Sequence, residues 1–212
     1  MKIITLLAQK GGTGKTTLSI HLAVLAAARN LKVVIADIDP QKSTTFWNER
    51  RAVSVPGVMP MTANTLEQNI TELANQGVNL LVIDTAPHSH EDAVIAAQLA
   101  DFILIPTRPA ILDLQAIGSS VKIVKSIDGK AAIVLNGCPY PGKSGERAIV
   151  SEAREALAGY GIPVAPAAIS NRVALSHSLI DGKAVTEFES EGKAADEIHE
   201  LMNWINQEAY LW

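Results

Sequence analysis

Short apolar runs recur along the chain with longer, mixed segments between them. IITLLA, VVIAD, LLVID, FILIP, AAIVLN and PVAPAAI are rich in Val, Ile and Leu and lack the alternation of a half-exposed strand. Such runs read as strands buried on both faces, the habit of a parallel sheet. The segments at 16–29, 65–76, 90–99, 109–127 and 145–159 have helical length and composition. This alternation predicts an α/β fold: a doubly wound, mostly parallel sheet with helices on both faces and right-handed crossovers, its ligands at the carboxyl ends of the strands. PGVMP and CPYPGKSG read as loops. The stretch 193–210 predicts an amphipathic helix with Ile198, Leu201, Met202 and Ile205 on one face.

Composition narrows the class. With 212 residues and 48% hydrophobic content, 1–212 fits one domain better than two. Met1 runs directly into the first strand, so no amino-terminal helix-turn-helix domain is expected. Cys138 stands alone, which rules out an internal disulfide and points to a reducing, cytoplasmic setting. No apolar run approaches the roughly 20 residues that span a bilayer. The net charge of −4 argues against wholesale attraction to nucleic acid. The charge is uneven, however: acids dominate from Asp181 onward, whereas Lys122, Lys125, Lys130, Lys143, Arg147, Arg154 and Arg172 precede them. Any polyanion contact must therefore be a local patch.

The chemistry concentrates in AQKGGTGKTT, residues 8–17. Gly11, Gly12 and Gly14 let the backbone curl so that N–H groups point at phosphate oxygens, and the following helix adds its positive end. Lys15 would reach the β- and γ-phosphates and the Thr16 hydroxyl would bind Mg²⁺. The strict pattern G-x-x-x-x-G-K-[ST] is not met, because Gln9 stands at its first position. Asp84 closes LLVID, where a carboxylate can hold Mg²⁺ through water. VVIADIDP supplies Asp37 and Asp39, and Asp39 can lie over the phosphates to orient water. The guanine-reading N-K-x-D sequence is absent, which favours adenine. His88 and His90 read as solvent-facing loop residues, and Trp47, Trp204 and Trp212 as core or interface packing.

KGGTGKTT, DIDPQKS and VIDTAP, in this order and spacing, resemble the deviant-Walker ATPases of the ParA/MinD group. The last third, AISNRVALSHSLIDGKAVTEFESEGKAADEI, resembles small ParA-type plasmid partition proteins of the ParF kind. The resemblance implies an ATP site formed by Lys10, Gly11, Gly12, Thr13, Gly14, Lys15, Thr16 and Thr17, with Mg²⁺ held by Thr16, Asp39 and Asp84. It makes Asn136 and the loop from Pro166 to Arg172 adenine-contacting elements, and the loop after Asp84 a γ-phosphate switch. Lys10 becomes the signature lysine, reaching ATP in the opposite subunit of a homodimer. Catalysis would rest on Lys10, Lys15 and Asp39.

The resemblance further implies a slow ATPase whose ATP-bound dimer binds DNA non-specifically on the nucleoid, with room for higher-order assembly. A ParB-like centromere-binding partner would stimulate hydrolysis and release. Lys143, Arg147 and Arg172 are the candidate DNA contacts, Arg172 foremost. Plasmid, chromosome and protein-organelle cargo all fit. The alternative is a MinD-like positioning ATPase on a membrane, which the acidic final helix disfavours.

Overall fold

The computed structural model describes residues 1–143 and 145–210. Strands β1 (Lys2–Leu6), β2 (Val33–Asp37), β3 (Gly57–Pro60), β4 (Leu80–Asp84), β5 (Phe102–Thr107), β6 (Ala131–Cys138) and β7 (Ile169–Ser170) form one sheet in the order β3-β2-β4-β1-β5-β6-β7. Every pairing in it is parallel. Helices α1 (Lys15–Ala28), α2 (Ser43–Asn48), α3 (Leu66–Asn75), α4 (His90–Gln98), α5 (Ile111–Ser126), α6 (Ala148–Ala158), α7 (Val173–Ile180), α8 (Val185–Phe188) and α9 (Lys193–Ala209) cover its faces.

The apolar runs explain this layering. β2, β4 and β5 are buried along their whole lengths, which requires helices on both sides. On one face Leu18, Leu22 and Leu25 of α1 cluster with Ile198, Leu201, Met202 and Ile205 of α9. On the other, Leu114, Ile117 and Val121 of α5 meet Val150 and Leu157 of α6 over β5 and β6. Leu66 and Leu73 of α3 cover β2 and β4.

Two expectations about strands fail. PGVMP is not a loop: Gly57–Pro60 pairs with β2 as an edge strand, where its half-exposed side chains hide the buried-strand signature. PVAPAAI is not a strand along its length: only a bridge between Val164 and Ile133 and the pairing of Ile169–Ser170 join it to β6. Pro163 and Pro166 each lack the N–H that a continuous ladder needs. The short helices α2, α7 and α8 carry no long periodic pattern and were not anticipated.

Register does the positioning. Leu6 lies opposite Asp84, and Asp84 opposite Asp37, so β1, β4 and β2 end together. Chain connections run from β1 to one side of the sheet first and later to the other, which opens a crevice above β1. The glycine loop fills that crevice.

Candidate functional site

The loop between β1 and α1 is held from several sides. Gly14 has φ +97° and caps α1, a conformation that L side chains rarely adopt. A Cβ there would collide with the Asn136 amide, so a side chain would have to displace Asn136 as well as adopt the strained φ. Asn136 Nδ2 donates to the Thr13 carbonyl at 2.7 Å. Asn136, expected to contact adenine, thus braces the loop with its amide nitrogen. Thr13 is buried, and its hydroxyl has no hydrogen-bond partner among the described residues. Lys15 is buried as well and donates from Nζ to the Ala8 carbonyl at 3.0 Å. Burial lowers its pKa, and the charges of Asp84 and Asp39 oppose that shift. Its ammonium is therefore partly desolvated, and the two carboxylates favour its charged form.

The three acids have separate duties. Asp37 Oδ2 accepts from the Thr45 N–H at 2.8 Å and from the Thr45 hydroxyl at 2.7 Å, which fixes the start of α2. Asp39 is half-buried; its Oδ1 accepts from the Gln41 N–H at 2.9 Å in a local turn. Asp84 is fully buried, and Oδ2 accepts from the Thr44 hydroxyl at 2.8 Å. Burial pushes its pKa up to about 6, while the Thr44 and Thr16 hydroxyls favour the ionised form. Asp84 Oδ1 has no hydrogen-bond partner within the described chain. A buried carboxylate oxygen left open beside a hydroxyl suits a hydrated divalent cation, so the donor set of Thr16 and Asp84 fits Mg²⁺.

Lys10 lies outside this cradle. Its Nζ is 2.8 Å from Asp113 Oδ1, and its side chain remains 38% exposed. Asp113 sits in the first turn of α5, where the helix dipole also favours an acid. The Asp113 side chain is only 11% exposed, so water screens the pair from the lysine side alone and its contribution is about 1 kcal/mol.

Gln9, the departure from the strict loop pattern, has a use. Its carbonyl accepts from the His88 N–H at 3.1 Å, and its side chain donates to the Ser89 carbonyl at 3.3 Å. The phosphate loop and the loop after Asp84 are thereby stapled together. His88 adopts a positive φ of 63° there, and His90 begins α4. The sequence singles out Gln9 only as a departure from the loop pattern and gives no sign of Asp113, because both act through contacts distant in the chain.

The basic candidates lie apart from this site, near the β7 edge of the sheet. Lys143 is exposed. Arg147 donates from Nε to the Tyr140 carbonyl at 3.0 Å. Arg172, the foremost DNA candidate, donates from Nε and Nη2 to Glu197 Oε1 at 3.0 and 2.8 Å, and its guanidinium lies 4.9 Å from the centre of the Tyr140 ring. Glu197 also accepts from the Ser170 N–H and hydroxyl. The cation is therefore neutralised within the chain. Trp47 is buried in the core and Trp204 packs at its margin, while Trp212 lies outside the described residues.

Comparisons with known proteins agree with this geometry. Residues 4–185 match the model of the "CobQ/CobB/MinD/ParA nucleotide binding domain". The chain is 32% identical over 198 residues to "Maintenance of carboxysome distribution protein A" of Gloeobacter kilaueensis, covering 92% of this chain and 88% of the relative. It is 26% identical over 251 residues to "Protein IncC" of Escherichia coli, covering 97% and 69%. Among solved structures, the cell division ATPase MinD of Pyrococcus furiosus superposes with a TM-score of 0.77 at 21% identity, over 97% of this chain and 98% of that one. No helix among the described residues is long and apolar enough to cross a membrane.

Proposed function

The chain belongs to the CobQ/CobB/MinD/ParA nucleotide-binding family, a group of P-loop ATPases, and from that membership we propose a partition-type positioning ATPase whose nucleotide-bound dimer holds DNA. Gly11, Gly12, Thr13, Gly14, Lys15 and Thr17 cradle the ATP phosphates. Thr16, Asp84 and Asp39 would hold Mg²⁺, which would supply neutralisation of phosphate charge. Asp39 orients the attacking water. In the dimer Lys10 leaves Asp113 and reaches the nucleotide of the opposite subunit, adding a cation that only assembly supplies.

The observation that carries this reading is that Lys10, in the same loop, pairs with Asp113 while Lys15 at the start of α1 donates back to the Ala8 carbonyl. One lysine is built into the cradle and the other stands at its rim. Hydrolysis then times the dimer, and a cargo-bound partner accelerates it. DNA carrying a ParB-like centromere complex is one candidate cargo. The 32% identity with a carboxysome distribution protein favours a protein organelle as a second. Membrane docking through the last helix finds no support, since Ile198, Leu201, Met202 and Ile205 are already buried in the core. Exposing them would cost on the order of 5–10 kcal/mol.

The test compares two lysines. Lys10→Ala should bind ATP with near wild-type affinity, yet show neither ATP-dependent dimerisation in light scattering nor DNA co-sedimentation. Asp113→Asn should leave ATP binding intact and shift dimerisation by no more than about fivefold, the scale of a pair contributing about 1 kcal/mol. ATP affinity falling in Lys10→Ala as steeply as in Lys15→Ala would end the opposite-subunit role.

A further inference from the structure

Arg108 follows β5, the neighbour of β1 in the sheet, and stands beside the phosphate loop. A carbon attached at Gly12 would lie 4.0 Å from Arg108 Nη2, and one at Gly137 would lie 3.7 Å from both its Cγ and its Nε. The side chain therefore runs from the end of β6 to the rim of the loop. Each other described arginine is engaged: Arg29 with Asn203, Arg51 with Glu187, Arg154 with Glu146, Arg172 with Glu197, Arg50 with the Phe46 carbonyl and Arg147 with that of Tyr140. Arg108 is exposed, and its guanidinium has neither an ion pair nor a hydrogen bond among the described residues.

That isolation is informative because of its surroundings. The guanidinium lies at Gly12, in the glycine loop whose last residue, Gly14, caps the positive amino-terminal end of α1. Asp113, the acid on the following helix, is taken by Lys10. An exposed guanidinium beside a helix amino terminus and without a protein counter-ion is complementary to an anion from outside the chain. Its planar fork suits phosphate oxygens bidentately, which a lysine cannot reproduce.

We infer that Arg108 is a further nucleotide-binding residue, closing over the phosphate chain held by its own subunit. The inference rests on the loop being the nucleotide site and names a contact beyond those of the signature motifs. It predicts a contribution already present in the monomer with ADP, unlike that of Lys10.

Fluorescent-analogue competition with ADP, ATP and adenosine would test it on wild type, R108A and R108K. R108A should weaken ADP and ATP alike, by about tenfold. R108K should recover part of that loss, and adenosine, which lacks phosphate, should bind all three proteins equally. ADP affinity in R108A within about twofold of wild type would overturn the inference, that being under 0.5 kcal/mol. So would an equal loss for adenosine, or a loss confined to ATP-dependent dimerisation. Wild-type ADP binding serves as the separate check: its absence would sink the site reading itself. A thermal melt of nucleotide-free R108A and R108K that matches wild type excludes a folding cause.

Discussion

The phosphate-loop end of the sheet and its β7 edge both drew attention for their cations, and the fold treats those cations in opposite ways. At the loop, Lys15 is buried within the charge of Asp84 and Asp39, Lys10 is paired with Asp113 and Arg108 is unpaired. At the β7 edge, Arg172 is neutralised by Glu197, Arg154 by Glu146, and Arg147 is turned onto a backbone carbonyl. Arg108 is the open guanidinium at the first region, whereas Arg172 and Arg154 at the second are each paired with an acid. Counting basic residues therefore overstates what the β7 edge offers a polyanion, because a paired guanidinium adds little field.

The comparison breaks most visibly at Lys15. Lys15→Ala should lower ATP affinity by roughly 100-fold or more, about 3 kcal/mol, read by calorimetric titration. Retained affinity would mean that the loop's N–H groups and Arg108 suffice, and that burial of Lys15 serves folding alone.

His21 separates stability from binding, since it touches neither region's ligand surface. It is fully buried in α1; its Nδ1 accepts from the Val185 N–H at 3.2 Å and its Nε2 lies 3.1 Å from the Leu175 carbonyl. Burial lowers its pKa from 6.5 to about 4, with the Leu175 carbonyl and the Glu187 charge opposing. A histidine depressed in the folded state stabilises fully above its unfolded pKa and loses that contribution as pH falls through the folded value. Between pH 6.5 and about 4 the wild type should lose on the order of 3 kcal/mol through this group. Urea unfolding of wild type against His21→Gln isolates it: the variant should be less stable at pH 7 and flatter toward acid. Parallel slopes would show that His21 titrates normally.

The finest test reverses the β7 edge. Glu197→Gln frees the Arg172 guanidinium, so the nucleotide-bound dimer should bind DNA about two- to fivefold tighter, roughly 0.5–1 kcal/mol, with a steeper salt dependence. Thermal stability should fall slightly, as Ser170 loses a charged acceptor. Arg172→Ala in the Glu197→Gln background should cancel the gain. Unchanged DNA binding in both would remove Arg172 from the candidates.

Much of the site could be read from residues close together in the chain. Gly12, Gly14, Lys15 and Thr16 announce a phosphate cradle by spacing alone, and Asp84 announces itself by closing a buried strand. Asn136 was legible as a site residue, yet its contact with Thr13 and Gly14 was not, because more than 120 residues separate them. The same holds for Lys10 with Asp113, Arg172 with Glu197 and Gln9 with Ser89. Each joins elements whose register must be known before any distance can be.

What the sequence determined by itself was the class of fold, the position of the phosphate loop and the helix of 193–209, since these follow from local periodicity and the conformational freedom of glycine. What only the tertiary structure decided was which charges remain available. Pairing depends on separations of a few ångströms between residues tens of positions apart, and Coulomb interactions are settled at that scale. Lys10 and Arg172 read alike along the chain as exposed cations beside glycine or loop residues. Folding sets Lys10 against Asp113 with its own ammonium end partly open to water, while Arg172 meets a carboxylate that is also anchored by Ser170 and roofed by Tyr140. The two acids are similarly enclosed, but the Lys10 side chain is 38% exposed and that of Arg172 19%, so water competes more strongly for the lysine.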